Sequence, residues 1–62
     1  MALTRREREV AVLIADGLSN KQIARRLRIT LGTVKHYVHQ ILEKTGLRGR
    51  VAIAQAHHRH AG

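Results

Sequence analysis

Ser19-Asn20-Lys21-Gln22-Ile23-Ala24-Arg25-Arg26-Leu27, then Arg28-Ile29-Thr30, then Leu31-Gly32-Thr33-Val34-Lys35 is the stretch whose reading decides the fold. Ser19 and Gln22 have the spacing of a capping box, in which each side chain bonds the other residue's backbone amide and starts a helix. Ile23, Ala24 and Leu27 form a short apolar stripe, with Lys21, Arg25 and Arg26 outside it. Thr30 is a second N-cap. Behind it Leu31, Val34, Val38, Ile41 and Leu42 repeat at helical spacing over roughly four turns. About three residues separate the two helices, and apolar residues lie on both sides of the joint. A joint that short makes the helices cross instead of lying antiparallel, which is a helix-turn-helix.

Working outward, Thr4-Arg5-Arg6-Glu7 is another capping box, with Leu3 placed as a hydrophobic staple and Val10, Leu13 and Ile14 on one face behind it. Gly17 is the expected left-handed residue ending that helix, and Gly46 the one ending the third. A fourth helix starts near Gly49 or Arg50 and carries Val51, Ile53 and Ala54, with fraying expected from about His57. The expected architecture is all-α: a four-helix bundle containing a helix-turn-helix, with helices near 4–16, 19–27, 30–45 and 49–58, in a single domain over residues 1–62.

Composition narrows the function. The 62 residues contain no cysteine and no proline, and Tyr37 is the one aromatic residue. Disulfides and Cys-ligated zinc are excluded. The longest apolar run, Val10 to Ala15, falls far short of the ~20 residues a bilayer span needs, so no membrane role and a cytoplasmic location are expected. No nucleophile–base pair, carboxylate dyad or glycine-rich phosphate loop is present, so the chain does not read as an enzyme. His36 and His39 lack a third ligand at suitable spacing, and His57-His58-Arg59-His60 has the composition of a metal-affinity tract that is more often a disordered tail. No metal, cofactor or small molecule is expected.

Twelve Lys and Arg against four Asp and Glu leave a net charge of +8. Between Lys21 and Arg50 stand Lys21, Arg25, Arg26, Arg28, Lys35, Lys44, Arg48 and Arg50 against Glu43 alone. The positive field is therefore centred on the crossed helices, as a polyanion-binding surface requires. On a helical wheel Lys35, His36 and His39 lie opposite Val34, Val38 and Ile41, and Lys35 can donate to guanine O6 and N7. Thr30 and Thr33, at the helix start, are placed to bond phosphate. Lys21, Arg25 and Arg28 are candidates for phosphate positioning from the second helix and the turn. Gly32 either lets the backbone come close to a phosphate or is merely a weak helix residue. The competing reading is a basic helical module that binds a protein or an anionic surface without base specificity; it lacks the Trp or Phe that interfacial helices insert.

Four blocks carry a more specific signal: Leu3-Thr-Arg-Arg-Glu-Arg-Glu-Val10, Gly17-Leu-Ser-Asn-Lys-Gln-Ile-Ala24, Thr33-Val-Lys35 and Ile41-Leu-Glu-Lys-Thr-Gly-Leu-Arg48. In this order and spacing they resemble the LuxR-type (GerE-type) helix-turn-helix domain of bacterial transcription regulators, over nearly the whole chain to about Ala56. The resemblance implies sequence-specific binding of double-stranded DNA, in a response-regulator or quorum-sensing type of protein, with the third helix in the major groove. It implies base contacts from Lys35, His36 and His39. Backbone contacts are implied from the flanking Lys44, Arg48 and Arg50, and from Tyr37, which stands where the family commonly has histidine. It also implies weak homodimerisation through Val51, Ile53 and Ala54 of the fourth helix, and RNA polymerase as a further partner. Arg5 replaces a frequent proline, and Gly49 replaces a small polar residue at the start of the fourth helix.

Overall fold

The computed structural model describes the backbone of residues 2–61 and the side chains of residues 2–57. These residues form four helices, α1 (Arg5–Ala15), α2 (Asn20–Leu27), α3 (Leu31–Thr45) and α4 (Arg50–Ala61), and no strand. All three expected caps are present. Thr4 Oγ1 accepts from the Glu7 amide at 3.2 Å while the Thr4 amide donates to Glu7 Oε1 at 2.8 Å. Ser19 and Gln22 repeat the arrangement at 3.2 and 2.8 Å. Thr30 Oγ1 accepts from the Thr33 amide at 3.1 Å. Each such cap stabilises its helix by about 1 kcal/mol.

The core is one cluster. Val10, Leu13 and Ile14 of α1, Ile23 of α2, Val34 and Ile41 of α3 and Ile53 of α4 are buried, and Ile23, Val34, Val10 and Ile41 are buried almost completely. Leu3, Leu18, Leu27, Ile29, Val38, Leu42 and Leu47 close it from the sides. The helix α1 packs against α3 and α4, while α2 packs against α3. Burial of each of the large aliphatic side chains contributes about 1.5–3 kcal/mol, and the short α2 is held mainly by α3 and α1.

Two long-range polar ties add to this. Lys44 Nζ donates to Glu7 Oε1 at 2.8 Å, joining the end of α3 to the start of α1. The Arg50 guanidinium donates to Asn20 Oδ1 at 2.6 Å and to the Leu18 carbonyl, joining the start of α4 to the start of α2.

The fourth helix starts at Arg50, within the expected start, and departs from expectation at its far end and its face. It extends to Ala61, beyond the expected end near 58; the side chains of His58 and beyond lie outside the described residues. Ile53 is 3% exposed and belongs to the core. It was expected at a dimer contact, and that assignment is corrected: the residue is enclosed by its own chain.

Candidate nucleic-acid interface

The turn between α2 and α3 positions the site. Arg28 adopts a left-handed conformation, φ 59°. Its amide donates to the Arg25 carbonyl at 3.3 Å, and the Ile29 amide donates to the Ala24 carbonyl at 3.0 Å. This is a Schellman closure of α2. Ile29 is drawn onto the core, and Thr30 restarts the chain as α3. The connection between Leu27 and Leu31 consists of Arg28, Ile29 and Thr30 alone.

The face of α3 away from the core carries the expected base readers. Lys35, His36 and His39 are exposed, whereas Val34 and Ile41 on the opposite side are buried. His39 Nε2 lies 3.4 Å from Glu43 Oε1, one turn further along, with both side chains about two-thirds exposed. The His36 and Tyr37 rings lie 6.2 Å apart and tilted. Tyr37 itself is half-buried against the core.

The expected phosphate contacts do not form one patch. Lys21 lies beside the expected base reader Lys35: with Ser19, Asn20, Leu31 and Arg50 they line an open hollow between the start of α2 and the start of α3. Arg25 and Arg28 line a different hollow, beside Gln22 and Arg26 on the other flank of α2. Lys21, Arg25, Arg28 and Lys35 are all exposed, and none forms an ion pair among the described residues. Thr30 and Thr33 share a hydroxyl–hydroxyl hydrogen bond at 2.8 Å at the leading end of α3.

Lys44 and Arg50 are tied into the fold: the Lys44 ammonium is held by Glu7, and the Arg50 guanidinium donates to Leu18 and Asn20 while lining the hollow with Lys21 and Lys35. Arg48 stays exposed on the loop before α4. Glu7 is the one buried charged side chain among the described residues. The Lys44 ammonium, and after it the Thr4 amide, hold its carboxyl below the usual carboxylate range. The sequence marks Glu7 as a capping residue at the helix start and gives no sign of its partner 37 positions away.

On α4, Val51 is 70% exposed and Ala54 half-buried. With Ile53 enclosed, Val51 is the apolar side chain the helix offers outward. No described helix is long and apolar enough to cross a membrane. Among the described residues no group of three His, Cys, Asp or Glu is placed to hold a metal ion.

A capped pair of helices joined by three residues, with Lys35, His36 and His39 on the uncovered outer face of the second one, defines a helix-turn-helix DNA-binding domain. Residues 1–57 match the family described as bacterial regulatory proteins, luxR family. The chain belongs to that family. It is 56% identical over 52 residues to the nitrate/nitrite response regulator protein NarL of Escherichia coli strain K12, a match covering 84% of this chain and 24% of that protein. It is 49% identical to the transcriptional regulatory protein DesR of Bacillus subtilis strain 168, over 79% of this chain and 25% of that protein. The DNA-binding transcriptional activator DevR/DosR of Mycobacterium tuberculosis is 44% identical over 84% of this chain and 24% of its own length. The chain thus spans about a quarter of the length of these relatives.

Proposed function

We propose that this domain binds double-stranded DNA at specific sequences, with α3 in the major groove and α2 crossing the phosphate backbone. The observation that carries the reading is the uncovered face of α3: Lys35, His36 and His39 stand exposed on the side opposite the buried Val34 and Ile41. Lys35 donates to guanine, and His36 and His39 donate or accept at base edges. Lys21 meets one stretch of phosphates beside Lys35, and Arg25 and Arg28 meet another. Arg48 reaches the backbone beyond the groove. Thr30 and Thr33 contact the phosphate nearest the start of α3. Neutralising these phosphates releases counterions, so binding weakens steeply with salt.

Two copies meet through Val51 and Ala54 on adjacent half-sites about 10 bp apart or a multiple of that. So small an apolar area is well below a standard interface of about 800 Å² per partner, which makes the isolated domain a weak dimer assembled on DNA. Within a longer response regulator, the type named for NarL, it supplies the DNA-binding part and a surface that RNA polymerase meets.

Selection of bound duplexes from a random library tests the reading. It predicts enrichment of a common motif with paired half-sites. Recovery of duplexes with no shared motif, at an affinity set by salt alone, contradicts base readout.

A further inference from the structure

Gly32 is the one described glycine that the fold does not require. Gly17, Gly46 and Gly49 all have positive φ, at 91°, 71° and 89°, where a side chain is strained. Gly32 does not; it lies in the first turn of α3 with ordinary helical backbone. A Cβ built there meets only Thr30 Oγ1, at 4.0 Å, an ordinary contact. Glycine inside a helix is less stable than alanine because more chain freedom is lost on folding. The fold therefore carries an avoidable weakness at an exposed position.

Its place in the helix gives the reason. Gly32, His36 and His39 recur at steps of four and three residues, so they lie along one stripe of α3, and all three are exposed. In a helix-turn-helix the N-terminal part of the recognition helix lies nearest the bases and the flanking backbone. Gly32 stands at that leading end. Positions where a local rule is broken without an internal cause are where function is expected.

We propose that Gly32 is a clearance position for duplex DNA: its missing side chain lets the start of α3 seat against the sugar-phosphate wall of the groove, bringing Lys35, His36 and His39 to the bases. The inference rests on the DNA-binding reading above and assigns this residue a specificity-determining role within it. The determinant is steric, so it is graded by side-chain volume and not by charge.

The test is a size series, Gly32→Ala, Gly32→Ser and Gly32→Val, in the 62-residue chain, with thermal unfolding and binding to a library-selected duplex and to a random duplex. Gly32→Ala raises Tm by roughly 3–6 °C, from the helix-propensity gain in a domain of this size. The same variant binds the selected duplex about tenfold more weakly, the size of one lost charge-assisted contact. Gly32→Val binds more weakly still, and random duplex is affected less throughout. Parental affinity in Gly32→Ala overturns the inference while leaving DNA binding intact, as does a fall in its Tm, which would reveal an internal need for glycine. Failure of the parent chain to bind any duplex overturns the underlying reading instead.

Discussion

The turn after α1 and the turn after α2 share one hydrogen-bond frame and differ in the residue that carries it. In the first, the Gly17 amide donates to the Ile14 carbonyl at 3.0 Å and the Leu18 amide to the Leu13 carbonyl at 3.1 Å. In the second, Arg28 and Ile29 make the equivalent bonds to Arg25 and Ala24 at 3.3 and 3.0 Å. Each turn then drops an apolar residue, Leu18 or Ile29, onto the core and restarts with a hydroxyl cap. The left-handed position is glycine in one and arginine in the other. An L-residue there costs about 1–2 kcal/mol, so the first turn is relaxed and the second holds a cation under strain. The strained turn is the one beside the exposed face of α3. The two turns thus differ in backbone strain, and the strained one leads directly into α3.

The largest expected effect is common to both turns. Ile23, fully buried, belongs to the core against which Leu18 and Ile29 of the two turns pack. Ile23→Ala should cost about 2–5 kcal/mol, comparable with the whole stability of a domain this small. Circular dichroism at room temperature should show a largely unfolded chain. A well-folded Ile23→Ala variant would mean that the turns hold themselves.

Next comes the relaxed turn. Gly17→Ala forces a Cβ into φ 91° although the space around it is open, so it should lose about 1–2 kcal/mol, or roughly 4–16 °C in Tm. Affinity for DNA, measured where the variant is folded, should stay at the parental value. A loss of affinity in the folded variant would erase the contrast between the turns.

The strained turn should respond in the opposite sense. Arg28→Gly should raise Tm by a few degrees, the relief of strain being partly offset by the freer unfolded chain. It should bind all duplexes more weakly and reduce the salt slope by about 0.9, the loss of one phosphate contact. An unchanged slope would remove Arg28 from the interface.

A smaller effect lies away from both turns. The folded-state pKa of Glu7 is depressed by Lys44 and Thr4. The stability it contributes is therefore present above the unfolded carboxylate value and lost as pH falls through the lower folded one. Between about pH 5 and pH 3 the Tm of the parent should fall further than that of Glu7→Gln. Parallel declines would show that the tie to Lys44 contributes nothing to folding.

Much of this was legible in the sequence because the signals are local. The caps at Thr4, Ser19 and Thr30 each act over three residues. The core stripe of α3 repeats within four turns, and the exposed positions of Lys35, His36 and His39 follow from it by rotation alone. Glu7–Lys44 and Arg50–Asn20 span 37 and 30 residues, and no spacing rule announces such pairs. From sequence alone Lys44 and Arg50 are simply two more cations of a basic surface. Ile53 was misplaced for a related reason: α4 has apolar residues on several sides, so its own pattern does not say which one the core takes. The left-handed Arg28 was hidden because arginine is not a residue that favours that conformation.

The central claim is that the outer face of α3 distinguishes bases instead of merely neutralising charge. Its most direct test is the ratio of affinities for a selected and a random duplex, in the parent and in Lys35→Ala at one salt concentration. The account predicts a ratio reduced about tenfold or more in the variant, the worth of one good base contact. Equal weakening on both duplexes, with the ratio unchanged, would contradict it.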